Sequence, residues 1–185
     1  RNAHARGSIV TVHWPMDNPV TNGTSGDKNN DTVRKILPGR SHHKQLRTML
    51  DTFADWANSL TDPQGALIPI IFRPYHENTG NNFWWGTKEA TGSQYRRLWQ
   101  FTISYLRDTK NVHNVLYAYA PRRPFDTGGY EADRYPGDAF VDIVAFDRYD
   151  NGRLSDHYGL ISDATLVVNF AREHGKIPAI AELGF

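Results

Sequence analysis

The amino-acid sequence predicts an α/β protein of the (β/α)8 TIM-barrel type, with an incomplete set of strands in this chain. Apolar, strand-like runs alternate with amphipathic helical patterns along all 185 residues, which is typical of parallel strands joined by crossover helices. The segments after strands are long and those before strands are short, as in barrels that keep their chemistry at the carboxyl ends of the strands. The motifs Gly-x-Gly-x-x-Gly and Gly-x-x-x-x-Gly-Lys are absent, which disfavours a dinucleotide- or phosphate-binding sheet.

Five runs of apolar and β-branched residues are expected to form the strands. They span residues 7–14, 66–72, 114–120, 140–146 and 177–181. Three helices are expected where apolar residues recur at intervals of three and four. These helices span residues 42–60, 94–110 and 164–174, with Ser41, Ser93 and Asp163 as expected N-caps. Five strands are too few to close a barrel.

The composition is that of one ordinary domain covering residues 1–185. The formal net charge is +1 and cysteine is absent, so nothing favours a nucleic-acid partner, and disulfides and thiolate metal sites are excluded. No apolar run approaches the roughly 18 residues that a membrane helix needs. We expect a monomer without cofactor or metal ion. The first residue is not Met and no signal peptide is recognisable, so we expect the ends of the chain to have been cut.

The segment 73–86, RPYHENTGNNFWWG, is the most informative stretch of the sequence. It follows an apolar strand, which therefore delivers His76 and Glu77 at its carboxyl end. A Gly/Asn-rich loop then carries Phe83, Trp84 and Trp85 next to them. Sugars need a proton donor at the glycosidic oxygen and an apolar platform for their C–H faces. This combination of side chains therefore indicates a carbohydrate-cleaving site.

Two glutamates occupy equivalent points in the chain. Glu77 and Glu182 each follow an apolar run, and each is followed by a Gly within a few residues. In a barrel both would face the carboxyl-end mouth, where a carboxylate pair is the minimum equipment for glycoside hydrolysis. From spacing alone, each could instead cap the next helix or pair with a basic residue. Tyr149 ends the intervening strand and could donate a hydrogen bond to Glu182 or serve in packing.

The residues also resemble a known family along essentially the whole chain. The matching pieces are residues 11–19 (TVHWPMDNP), 72–80 (FRPYHENTG), 84–86 (WWG), 135–138 (YPGD), 146–149 (FDRY) and 181–184 (AELG). In this order they resemble glycoside hydrolase family 26, the retaining β-mannanases and their relatives among the (β/α)8 glycosidases. The resemblance implies that residues 1–185 are part of such a catalytic domain, with barrel strands three to seven present.

The resemblance also implies roles for individual residues. Glu77 would be the acid/base at the end of strand four, and Glu182 the nucleophile at the end of strand seven. His76 would hold the sugar or the nucleophile, and Tyr149 would hydrogen-bond the nucleophile. The residues expected to contact the substrate are His76, Tyr149, Trp84, Trp85, His13 and Trp14.

Arg73 and Asp147 lie at strand ends and are expected to support the glutamates from behind. Two positions depart from the family pattern. Many relatives read Ser-Trp-His where this chain reads His13-Trp14-Pro15, so a sugar-binding histidine is missing and whether His13 replaces it stays open. Many relatives also carry a Trp where this chain has Asn82, so binding on the leaving-group side should be weaker.

The implied activity is that of an endo-acting, retaining β-mannanase that cleaves β-1,4-mannosidic bonds in mannan, glucomannan or galactomannan. The alternatives are a β-1,3-1,4-glucanase or β-xylanase of the same family, a non-catalytic carbohydrate-binding protein, and a fragment inert on its own. A polymeric substrate implies an extracellular, cell-surface or periplasmic location.

Overall fold

The computed structural model describes residues 1–28, 30–127, 133–150 and 154–184. Its strands are β1 (Val10–Trp14), β2 (Ile70–Pro74), β3 (Val115–Tyr119), β4 (Ile143–Tyr149) and β5 (Ile177–Gly184). Its α-helices are α1 (Asn2–Ala5), α2 (Thr32–Ile36), α3 (His43–Asn58), α4 (Gly92–Ser104) and α5 (Leu154–His174). A π-helical turn, Tyr105–Thr109, extends α4, and a 3-10 turn spans Asp138–Phe140.

The five strands form one sheet in the order β1-β2-β3-β4-β5, and every neighbouring pair is parallel. Each strand therefore lies beside the one that precedes it in the chain. The sheet curls into a half-barrel with helices, which confirms the predicted α/β barrel class with an incomplete set of strands. All carboxyl ends of the strands meet at one edge, and this edge positions the candidate site.

The pleat of the strands separates two packed faces. Ile70 and Phe72 of β2, with Val144 and Phe146 of β4, belong to the large core cluster on the helix side of the sheet. The opposite face holds a second, smaller cluster of alanines and isoleucines. Its members are Ile71, Ala118, Ala120, Ile143, Ala145, Ala179 and Ala181. At the strand ends, side chains two or four residues after members of this smaller cluster therefore also point into the half-barrel.

The predicted helix starts differ from the observed ones. Helix α4 begins at Gly92, because Thr91 forms a capping box with Gln94 in place of the expected Ser93 cap. Helix α3 has His42, not Ser41, at its N-cap position. Asp163 lies within α5 and is fully buried, where its carboxylate pairs with the guanidinium of Arg148 at 2.7 Å. That ion pair ties α5 to the sheet, so Asp163 is not a cap.

The long segment 15–40 after the first strand, for which no helix is predicted, contains the short helix α2. Its Val33 and Ile36 are fully buried in the main core. The segment lacks the repeated apolar spacing that identifies longer helices, so one helical turn in it left no clear signal.

Candidate active site

Four side chains on the inner face converge at the carboxyl ends of β2, β4 and β5. Alternate residues of a strand point to the same face, so Arg73 points inward like Ile71. Asp147 and Tyr149 likewise point inward like Ala145. Glu182 reaches this face through an irregularity in β5. Phe146 pairs with Ile180, whereas the next residue, Asp147, pairs with Glu182, so Ala181 is an extra residue in the ladder. This β-bulge turns Glu182 inward, whereas regular alternation after Ala181 would turn it outward.

Both carboxylate oxygens of Glu182 are held by donors. The Tyr149 hydroxyl donates to Oε2 at 2.7 Å, and Nη2 of Arg73 donates to Oε1. Burial opposes ionisation, but the Tyr149 hydrogen bond, together with the Arg73 hydrogen bond and charge, outweighs it and lowers the pKa of Glu182. Glu182 is therefore held as a carboxylate. The contact expected between Tyr149 and this glutamate is present.

Arg73 is itself held in place by Asp147. Its Nη1 donates to Oδ2 of Asp147 at 2.6 Å, and both side chains are almost completely buried. Burial raises the pKa of Asp147 to about 7, and the negative charges of Glu182 and Glu77 add to that effect while Arg73 opposes it. The charges of both glutamates therefore act in the same direction on this one buried carboxyl group. Asp147 thus contacts Arg73, and Arg73 contacts Glu182, while the role of this pair in supporting the glutamates stays a prediction.

The imidazoles of His13 and His76 lie beside the carboxylate of Glu182. Nε2 of His13 is 3.0 Å from Nδ1 and 3.1 Å from Nε2 of His76, with the rings edge to face. Nδ1 of His13 lies 3.9 Å from Oε1 of Glu182. Burial, with the nearby His13 and Arg73, lowers the pKa of His76 to about 3. Burial and Arg73 also lower the pKa of His13, so both rings are neutral near pH 7.

Glu77 sits on a constrained piece of backbone just beyond β2. It has φ of 50°, and Tyr75 has φ of 48°, a region that non-glycine residues seldom occupy. The Glu77 amide donates to the carbonyl of Ala120 at 2.8 Å, which anchors the turn to the end of β3. Its carboxylate is largely buried and accepts a 3.2 Å hydrogen bond from Nδ2 of Asn82. Asn82, one of the two positions that depart from the family pattern, thus contacts Glu77, the expected acid/base.

Trp84 and Trp85 are 0% exposed, so neither presents a ring face to a sugar in this structure. This differs from the expectation that they line the cleft. Their indole N–H groups are used inside the protein: Trp84 donates to the carbonyl of Met16 at 2.9 Å, and Trp85 to that of His76 at 2.7 Å. Because an indole can both fill a core and fix a backbone carbonyl, these residues lie beneath the site and shape it.

Trp14 also lies elsewhere than expected. It follows His13 in β1, so the pleat turns its side chain to the opposite face. There its ring stacks on Phe53 of α3, with centroids 5.8 Å apart, and contacts Phe72 at 6.0 Å. The structure therefore brings His13 to Glu182 and Trp14 to the helix layer.

Two further residues belong to the site region: Phe83, which the sequence places in the aromatic loop without a role of its own, and Arg134, to which the sequence does not point. Phe83 is partly buried, stacks on Trp85 at 4.7 Å and lies 4.6 Å from the ring of His76. Arg134 is buried and donates to the carbonyls of Trp85, Gly86 and Ala90, clamping the loop from outside. The aromatic cluster of the loop was a usable signal for Phe83. A single arginine in a distant segment gave none for Arg134.

Comparison with known proteins points to one family. The sequence profile of Glycosyl hydrolase family 26 matches residues 1–184. A mannan endo-1,4-beta-mannosidase of Bifidobacterium adolescentis is 40% identical over 192 residues, covering 99% of this chain and 19% of that protein. The structure of a modular endo-beta-1,4-mannanase from Cellulomonas fimi matches 100% of this chain and 41% of its own with TM-score 0.95 and 43% identity.

A GH26 beta-mannanase from Bacteroides ovatus matches with TM-score 0.93 and 34% identity, over 98% of this chain and 53% of that one. This chain therefore spans about half or less of the length of these relatives. None of the helices in the described residues is both long and apolar enough to cross a membrane.

Proposed function

Because the chain belongs to glycosyl hydrolase family 26, we propose that it carries the catalytic residues of an endo-acting, retaining β-mannanase. The substrate would be the β-1,4-linked mannose backbone of mannan, glucomannan or galactomannan. The relatives named mannan endo-1,4-beta-mannosidase support this choice over the glucanase and xylanase alternatives. Such a polymer lies outside the cell, so we propose an extracellular, cell-surface or periplasmic protein.

Glu182 is the proposed nucleophile and Glu77 the proposed acid/base. The carboxylate of Glu182 attacks the anomeric carbon while the carboxyl group of Glu77 protonates the departing glycosidic oxygen. The bond from carbon to that oxygen breaks as the glycosyl ester forms. Glu77, now ionised, removes a proton from water, and the water oxygen displaces Glu182 from the anomeric carbon.

The observation that carries this proposal is the double hold on Glu182. A nucleophilic carboxylate must be ionised and aimed, and Tyr149 and Arg73 each donate to one of its oxygens. Glu77 projects at the same strand edge with Asn82 on its carboxylate. His76, His13 and Tyr149 are the proposed sugar contacts, with His13 partly exposed beside Glu182. A protein that only binds carbohydrate would not need an ionised carboxylate fixed from two sides.

The test replaces each glutamate in the complete protein. Glu77→Ala and Glu182→Ala should each lower kcat on mannan by at least about 10³-fold, since each removes a reacting group. Glu173→Ala, on the exposed last turn of α5, is the matched control and should keep normal turnover. Circular dichroism and thermal melting report whether each variant is folded. Near-normal turnover in either active-site variant would contradict the assignment.

Chemical rescue separates the two roles. Azide can enter the cavity left by Glu77→Ala and attack the glycosyl ester, giving a β-glycosyl azide. In Glu182→Ala it would attack the substrate directly and give the α-azide. Proton NMR of the first product of the unmodified enzyme should show the β anomer, because double displacement retains configuration. An α product would exclude the retaining mechanism.

A further inference from the structure

Two imidazoles and a carboxylate converge on the open side of the site. We propose that His13, His76 and Glu182 form a binding site for a divalent transition-metal ion such as Zn²⁺. One ligand atom from each residue lies within 4.8 Å of the others, and among the described residues this is the one group of three that does so. The proposal goes beyond the hydrolase activity, which uses no metal ion in the mechanism given above.

The distances are close to those of a zinc site. With Zn–N and Zn–O bonds of about 2.0–2.1 Å, two ligands of a tetrahedral ion lie roughly 3.3 Å apart. Nε2 of His13 lies 3.0–3.1 Å from the two ring nitrogens of His76, whereas its other nitrogen, Nδ1, lies 3.9 Å from Oε1 of Glu182. The His13 ring must therefore turn before one of its nitrogens can share an ion with both partners. The side chain of His13 is 38% exposed, so its ring can turn to close the remaining gap. His76 is largely buried and Glu182 is held by Tyr149 and Arg73, so most of the adjustment falls to His13.

The local charge accommodates a cation despite the nearby guanidinium. Arg73 donates to Glu182, but its other nitrogen is bound by Asp147 at 2.6 Å. The positive charge of Arg73 is thus offset by the two carboxyl groups that it contacts. Two nitrogen ligands with one oxygen favour zinc or copper over magnesium and calcium, which prefer oxygen ligands.

Three protein ligands leave one coordination position open, where water or a sugar hydroxyl would bind. If Glu182 is the nucleophile, as proposed, an ion on its oxygen withdraws the electron pair that attacks the sugar. Bound Zn²⁺ would then inhibit hydrolysis, and a chelator would reverse the inhibition. The metal would be a blocking ligand and not a cofactor. This consequence rests on the proposed function, whereas the binding itself does not.

Isothermal titration of the chelator-treated, metal-free complete protein with ZnCl₂ tests the site without any substrate. We expect a saturable Zn²⁺ site whose affinity falls at least about tenfold in His13→Gln, because loss of even an outer-shell partner of a ligand costs about 10–100-fold. His113→Gln is the matched control, because His113 is exposed and precedes β3 at the opposite end of the sheet. It should bind Zn²⁺ like the unmodified protein, and MgCl₂ should give no comparable heat.

Co²⁺ provides a second, spectroscopic readout of the same site. A cobalt ion with two imidazole ligands should give a visible absorption band that is lost in His13→Gln and kept in His113→Gln. Absence of saturable binding up to about 1 mM, a range that corresponds to about −4 kcal/mol, would overturn the proposal. Equal affinity in His13→Gln and the unmodified protein would also overturn it. A failed mannanase assay with intact Zn²⁺ binding would count against the proposed function only.

Discussion

Glu182 illustrates how single residues set the chemistry of this site. Its ionisation does not come from exposure to water, because burial by itself would raise its pKa. Two donors from other strands, the hydroxyl of Tyr149 and the guanidinium of Arg73, reverse that tendency. The donors act on different oxygens, so each can be removed separately. The protonation state of the proposed nucleophile is therefore a property of its neighbours.

Tyr149→Phe should move the acid limb of the pH profile of kcat/KM toward higher pH. Tyr149 lowers the pKa of Glu182, so its loss lets Glu182 take up a proton at higher pH, and the ionised form required for attack is lost earlier on acidification. A hydrogen bond of about 1 kcal/mol corresponds to roughly 0.7 pH unit. The measurement is kcat/KM on mannan from about pH 3 to about pH 8, a range that includes the ordinary pKa values of a carboxyl group and of an imidazole.

Tyr158→Phe is the control, because Tyr158 is 74% exposed on α5. It should leave the acid limb in place. An acid limb that stays put in Tyr149→Phe, or moves to lower pH, would show that this hydroxyl does not govern the protonation of Glu182.

At the scale of elements, the turn after β2 is the most constrained part of the site. Tyr75 and Glu77 both have positive φ, which costs of order 1–3 kcal/mol each for non-glycine residues. The turn holds this shape because side chains bind its carbonyls: the hydroxyl of Tyr95 donates to Tyr75 at 3.0 Å, and Trp85 donates to His76 at 2.7 Å. The buried side chains of Tyr95 and Trp85 thus fix the backbone that carries Glu77 from within the core.

Trp85→Phe should lower both stability and turnover. It keeps most of the aromatic volume but removes the N–H that holds the carbonyl of His76, leaving a buried acceptor unpaired at a cost of about 1–3 kcal/mol. The free energy of unfolding measured in urea and kcat on mannan should both fall. Trp56→Phe, at a 41% exposed position on α3, should stay within about 0.5 kcal/mol of the unmodified protein. Unchanged kcat in Trp85→Phe would show that the turn does not depend on this hydrogen bond.

At the scale of the whole molecule, the half-barrel leaves apolar residues on its outer strands. Ile9 and Val10 at β1, and Ile177, Ile180 and Leu183 in β5, are between 37% and 62% exposed. Among the described residues, β1 and β5 each pair with one strand only. Unpaired strand edges and exposed apolar side chains are the usual causes of edge-to-edge association.

A polypeptide limited to residues 1–185 should therefore self-associate. Sedimentation velocity should detect oligomers or aggregates whose share rises with concentration, and the dye ANS should bind. Ile180→Lys places a charge on the exposed β5 and should reduce the association. A monodisperse monomer without ANS binding would contradict this expectation.

The succession of strands and helices was predictable because periodicity is a local property. Apolar runs located all five strands, and the strand-end rule placed Glu77, Glu182, Arg73 and Asp147 at one edge of the sheet. Helix starts were less predictable, since Thr91, Ser93 and Asp163 all have side chains capable of capping. The capping box with Gln94 selects Thr91, whereas burial against Arg148 gives Asp163 another role.

The sequence by itself determined the class of fold, the sheet edge proposed to carry the chemistry and the two glutamates proposed to perform it. Tertiary structure alone decided three other matters: the bulge at Ala181 that turns Glu182 inward, the burial of Trp84 and Trp85, and the approach of His13 to His76. The physical reason is the distance along the chain over which each property is set. Periodicity and strand ends depend on neighbours along the chain, whereas the direction and exposure of a side chain depend on contacts between residues that only folding brings together.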